Sequence, residues 1–131
     1  MKKIGILNKD ISDVIAGMGH GDMLVVSDAG LAIPQSVRRI DVAIKPGLPG
    51  LIETAEVIYS ELKVERIIVP EMMEEACPQV LEALQKLFAG IKLEKVTTEQ
   101  YKELAYRSSA IVRTGECTPY ANMILVSSVI F

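Results

Sequence analysis

Apolar residues along this chain recur at two spacings, and each change of spacing marks the boundary of an element. Ile11, Val14, Ile15 and Met18 occupy the i, i+3, i+4, i+7 positions of one helical face, with Asn8 suited to cap that helix and Gly19 to end it. Met23 to Ser27 is a short apolar run of the kind that forms a buried strand. Arg38 to Lys45 alternates Ile40, Val42 and Ile44 against Arg39, Asp41 and Lys45, which predicts a second strand. The turn-rich Pro46-Gly47-Leu48-Pro49-Gly50 separates it from a helix with Leu51, Ile52, Ala55, Tyr59 and Leu62 on its apolar side. A strand over Val64 to Val69 follows, then a helix opened by Pro78 and carrying Leu81, Leu84, Leu87 and Phe88, then a strand near Leu93 to Val96. Thr97 and Gln100 have capping-box spacing for a last helix reaching Tyr106. Ala110 to Val112 and Met123 to Val126 read as two more strands. This alternation predicts a single α/β domain spanning residues 1–131, with a largely parallel central sheet flanked by helices.

Composition adds an expectation about assembly. Half of the residues are hydrophobic, yet aromatics make up only 5% and tryptophan is absent; the mean hydropathy of +0.30 is high for a small soluble monomer. The stretch Met123 to Phe131 stays apolar to the last residue, where a solvated tail turns polar. Part of this surface is therefore expected to lie between copies in a homo-oligomer. The net charge is −3 with both signs interspersed, so no basic field exists to gather nucleic acid or an anionic membrane, and neither is expected as a partner. The opening MKKIGILNKD has too short an apolar run for an export signal, and no segment is long enough to span a bilayer. With two well-separated cysteines, Cys77 and Cys117, the expectation is a cytoplasmic protein with reduced thiols.

Several chemistries fall away on residue inventory. One histidine and two isolated cysteines are too few for a protein-built zinc or iron centre, so no metal site is expected. Gly17-Met18-Gly19-His20-Gly21-Asp22 has two glycines of a dinucleotide fingerprint but Asp22 where the third belongs, and it follows a helix rather than a strand. There is no phosphate loop ending in Gly-Lys-Ser/Thr and no Gly-x-Ser-x-Gly elbow. A Ser27, His20, Asp28 triad has nothing to expose its serine, and Cys117 reads more readily as a small apolar filler than as a nucleophile.

What remains is one imidazole and a set of neutral polar groups. As a loop residue His20 needs no ligand to explain it, but the glycines on either side clear space around the ring. Asp28 is expected at the carboxyl end of its strand, where open α/β sheets bind ligands, with Ala29 and Gly30 keeping the space above it open; its plainer role is a turn residue before Gly30. In Arg113-Thr114-Gly115-Glu116-Cys117-Thr118-Pro119-Tyr120-Ala121-Asn122, Tyr120 and Asn122 are two apart and are expected on one face of a strand, offering a phenol and an amide to hydroxyl groups. The plainer alternative is a ring packed on the surface and an amide closing a turn. A lone imidazole titrating near neutrality can give and take protons without a cofactor, which suffices to open and close a sugar ring.

These residues carry a resemblance along the whole chain. GILN, MGHGD, SDAGLAIP, KPGLP and RTGECTPYAN near a C-terminal Phe resemble the family of ribose pyranases and fucose mutarotases, with DAGLAIP and TPYAN similar to its ribose branch. The resemblance implies a cofactor-independent isomerase that interconverts the pyranose and furanose forms of D-ribose, providing furanose for phosphorylation. It implies His20 as the catalytic acid/base and Asp28, Tyr120, Ala121 and Asn122 as sugar-holding residues. It further implies a homodecamer of two stacked pentameric rings whose sites form where subunits meet. One departure stands out: Thr98 occupies the position where the family often has a second histidine, and a hydroxyl cannot carry a proton charge near neutrality. Lys102, one helical turn on, can supply a donor instead. Thr98 also keeps two alternatives open, a mutarotase for another sugar such as fucose and a non-catalytic sugar-binding accessory.

Overall fold

The computed structural model describes all 131 residues. Its strands are β1 (Met23–Ser27), β2 (Arg39–Asp41), β3 (Val64–Pro70), β4 (Lys92–Val96), β5 (Ala110–Arg113) and β6 (Met123–Ser127). They form one sheet in the order β2-β5-β1-β6-β3-β4. The β1/β5, β2/β5 and β3/β4 pairs are parallel, and β6 is antiparallel to both of its neighbours. Five strands thus point one way and β6 alone runs back, so the expected largely parallel sheet has one reversed strand near its centre.

Side-chain alternation sorts the strands onto two unequal faces. Leu24, Val26, Ile67, Val69, Val112, Met123 and Leu125 join the larger core, which is covered by α1 (Lys9–Gly17), α2 (Leu51–Tyr59), α3 (Met73–Ala76) and α4 (Pro78–Leu87). Val25, Ile68, Ile111, Ile124 and Val126 face the other way, beneath Tyr101 and Ala105 of α5 (Thr98–Ala105) and the loop bearing Leu31, Ile33 and Val37. Being buried on both faces, β1 and β6 read as continuous apolar runs.

The helix ends follow the local signals. Asn8 accepts from the Ile11 N–H at 2.9 Å, Pro78 is the first residue of α4, and Thr97 and Gln100 exchange hydrogen bonds at the start of α5. Two expectations differ. The strand predicted over Arg38 to Lys45 is only three residues long, because Asp41 accepts the Ala43 N–H and Ile44 turns back to donate to Leu48. The single turn α3 has no sequence signature strong enough to predict it. No helix is long and apolar enough to cross a membrane.

Candidate functional site

The strand directions fix where polar loops can gather. Asp28 follows β1, Thr114 to Cys117 follow β5, and Asn122 precedes the reversed β6, so all three reach the same edge of the sheet, at the carboxyl ends of the parallel strands. There Asp28, Ala29, Gly30, Leu31 and Ala32 face Glu116 to Tyr120 across an open cleft of about 650 Å³, with Lys102 of α5 on its rim. That size lies within the usual range for small-molecule sites.

Asp28 is held in a fixed orientation. Its N–H donates to the Asn122 side-chain carbonyl at 3.0 Å, the Asn122 amide donates back to Oδ2 at 2.9 Å, and Gly30 N–H donates to Oδ1 at 3.0 Å. The carboxylate is aimed before any ligand arrives and can accept only from donors such as hydroxyls. Asn122 is buried while Tyr120 is 40% exposed at the cleft. Tyr120 has φ of 63°, a left-handed conformation that costs an aromatic residue strain and is concentrated at functional sites. This corrects the sequence expectation: Tyr120 and Asn122 lie in a tight turn before β6, with Asn122 N–H donating to Tyr120 O, rather than on one face of a strand. Ala121 between them buries its methyl group in the core and donates its N–H to Thr118 O.

The Tyr120 loop is anchored by Glu116. Its carboxylate accepts from Leu51 N–H at the start of α2 and from both the N–H and hydroxyl of Thr118. Burial pushes the Glu116 carboxyl upward, but hydrogen bonds from the Thr118 hydroxyl and the Leu51, Thr118 and Cys117 N–H groups outweigh it and hold the group below its ordinary value. Beneath the cleft, burial and then the Asp28 charge push the Tyr101 phenol well above its ordinary range. Burial, followed by Glu116 and Asp28, likewise raises the Cys77 thiol. Both stay protonated at neutral pH. Thr98 begins α5 one turn from Lys102 and on the same face, partly buried, but it does not line the cleft.

His20 is elsewhere. It lies in the turn before β1, at the opposite edge of the sheet, where Gly21 N–H donates to Ser127 O at the end of β6 and Ser127 N–H donates to Asp22 O. Its Nε2 meets Glu65 Oε2 at 2.9 Å. The five residues of β1 alone put about 17 Å between the two edges. Within one copy the structure therefore brings Asp28, Tyr120, Asn122 and Lys102 together and leaves His20 apart. A triad with Ser27 is ruled out as well, since Ser27 is fully buried and donates to Asp28 O.

A model of the RbsD / FucU transport protein family matches residues 1–130. The chain belongs to that family. Among RbsD / FucU relatives, the D-ribose pyranase of Symbiobacterium thermophilum is 49% identical over 131 residues, the whole of both chains. The D-ribose pyranase of Pseudomonas putida KT2440 is 48% identical, again over the whole of both. The structure of Bacillus subtilis RbsD complexed with D-ribose superposes over all of both chains with a TM-score of 0.97 at 40% identity. The fucose mutarotase of Streptococcus pneumoniae, solved with L-fucose, has a TM-score of 0.85 over all of both chains at 22% identity and shares the fold.

Two acidic residues of this RbsD / FucU chain escaped the sequence reading. Glu116 sits inside a recognised motif, but its anchoring role depends on α2, 65 positions away in sequence. Glu65 looks like any outward residue of an alternating strand. The Asp28–Asn122 pair gives a direct prediction: Asn122→Ala leaves the Asp28 N–H and carboxylate short of partners. It should cost about 1–3 kcal/mol, read as a lower urea midpoint.

Proposed function

We propose that this protein is a D-ribose pyranase, an isomerase that interconverts the pyranose and furanose forms of D-ribose and supplies furanose for phosphorylation. The observation that carries this reading is the full-length superposition on RbsD complexed with D-ribose, at 40% identity. The reaction asks little of the protein. A proton leaves the anomeric hydroxyl as the carbonyl forms, the bond from the anomeric carbon to the ring oxygen breaks, and that oxygen takes up a proton. Attack by a different hydroxyl on the open-chain aldehyde closes the other ring.

In this reading Asp28, aimed by Asn122 and Gly30, accepts from sugar hydroxyls, and the Tyr120 phenol both donates and accepts. Asn122 keeps one amide hydrogen for the ligand, Ala121 contributes through its backbone, and Lys102 supplies a donor from α5. His20 is the acid/base group. Proton transfer requires heavy atoms within about 3 Å, or one intervening water, and His20 stands a strand's length from Asp28. Each site therefore takes His20 from a second copy, which closes a cleft that is open in the single chain. Exposed Ile4, Leu7, Ile44, Val57, Ile130 and Phe131 supply apolar surface for such contacts, consistent with a homodecamer of two pentameric rings. The free Cys77 and Cys117 thiols suit the cytoplasm.

Saturation-transfer NMR on D-ribose tests the activity. Pyranose–furanose exchange is expected to be faster with the protein than without it, and an unchanged rate would overturn the reading. The same experiment on L-fucose decides the effect of Thr98, because faster acceleration there than on ribose would place the enzyme in the fucose branch.

A further inference from the structure

The His20 turn is held from two sides. Its backbone is clamped to the end of β6: Gly21 N–H donates to Ser127 O, Ser127 N–H donates to Asp22 O, and the Ser127 hydroxyl donates to Gly19 O. Asp22 closes the turn by accepting the Gly19 N–H at 2.8 Å. The ring itself is met by a carboxylate from another strand, Glu65 Oε2 at 2.9 Å from Nε2.

Glu65 reaches the ring because of an irregularity in the sheet. The β3/β6 register shifts between Val64, which pairs with Ser127, and Arg66, which pairs with Val126. Glu65 is the extra residue in that bulge. A bulge leaves one residue out of the ladder and re-aims its side chain, and here the residue left out is the one that touches the chain's only histidine.

We propose that Glu65 is a positioning residue for His20, forming a carboxylate–imidazole pair that fixes which ring nitrogen handles the sugar's proton. The proposal rests on reading His20 as the acid/base group. With Glu65 accepting from Nε2–H, the lone pair is left on Nδ1, and Nδ1 is the atom that faces the substrate. In ring opening, Nδ1 takes the anomeric hydroxyl proton, the O–H electron pair becomes the second carbonyl bond, and the bond to the ring oxygen breaks. The ring oxygen then takes the proton back from Nδ1–H. Glu65 takes no proton in this sequence and stabilises the imidazolium that exists between the two transfers; nothing is consumed. Ring closure is the same sequence reversed with a different hydroxyl.

The single histidine makes the test direct, because protein labelled with 15N-histidine has one pair of ring signals. In the wild type, above the pH at which the ring titrates, these signals are expected at the positions of a hydrogen on Nε2 and a bare Nδ1. In Glu65→Ala the two signals should move toward each other as tautomers mix. Ribose exchange should then show kcat lowered by about 10-fold to 100-fold with KM within about 2-fold, since Glu65 touches the ring and not the sugar. Glu65→Gln, whose amide oxygen can still accept from Nε2–H but carries no charge, should restore the ring signals and recover only part of kcat. Unchanged ring signals in Glu65→Ala would overturn the proposal, as would moved signals with unchanged kcat. If the wild type fails to accelerate exchange, the pyranase reading falls, whereas the ring signals still decide whether Glu65 sets the tautomer.

Discussion

Replacing His20 by alanine is expected to slow catalysed ribose ring exchange by about 10²- to 10⁴-fold, the usual contribution of a positioned acid/base group, while leaving the fold intact. The two halves of that expectation have separate grounds. No other side chain of the chain has an unperturbed pKa between pH 5 and 8, so none can take over both halves of the proton cycle. Its side chain is 60% exposed and its one polar contact is with a partly exposed carboxylate, an interaction worth less than about 1 kcal/mol. The backbone clamp to Ser127 does not involve the imidazole and survives the substitution. Exchange NMR and urea unfolding measured on one preparation separate the two effects. A rate within about twofold of wild type, with wild-type stability, would remove His20 from the chemistry.

Gly115→Ala is expected to be strongly destabilising. A Cβ at Gly115 would stand 2.5 Å from Leu48 O, 2.6 Å from Lys45 O and 2.7 Å from Leu48 N. All three are backbone atoms that cannot rotate away. The same glycine accepts the Gly47 N–H and donates to Pro49 O, so the RTGECTPY loop docks on the KPGLPG turn through its backbone. Overpacking of this kind costs on the order of 3 kcal/mol. The loss should reach the site too, because Glu116, the next residue, anchors the loop that carries Tyr120. Urea unfolding should show the lower midpoint, and ribose exchange should show the weakened binding. Gly17→Ala is the control: nothing lies within 4 Å of its added Cβ at the end of α1, and it should be neutral or slightly stabilising. Equal stability of the two variants would contradict the packing argument.

These expectations draw on different depths of information. The helices and strands were legible because their apolar spacings and caps are local: Asn8, Pro78 and Thr97 each act within one turn. The position of Asp28 was legible for a similar reason, since the residue after a buried strand of an α/β sheet lies at the ligand-binding edge. Tyr120 was misplaced because its conformation is set by the turn it closes with Thr118 and Asn122, and not by alternation. The reversal of β6 depends on where its partners stand, 56 to 103 positions earlier in the chain, and no spacing in the strand itself reports it. His20 shows the limit most clearly. It is eight positions from Asp28, but a strand lies between them and carries the two to opposite edges of the sheet.

Because of that separation, His20 and Asp28 can meet only across a contact between two copies. The most direct test mixes two inactive variants, His20→Ala and Asp28→Ala, dissociated and reassembled together. The mixture is expected to regain ribose exchange, because some sites then combine His20 of one copy with Asp28 of another. A mixture no more active than its separate components, in mixed oligomers verified by mass and with the wild type active after the same treatment, would contradict it.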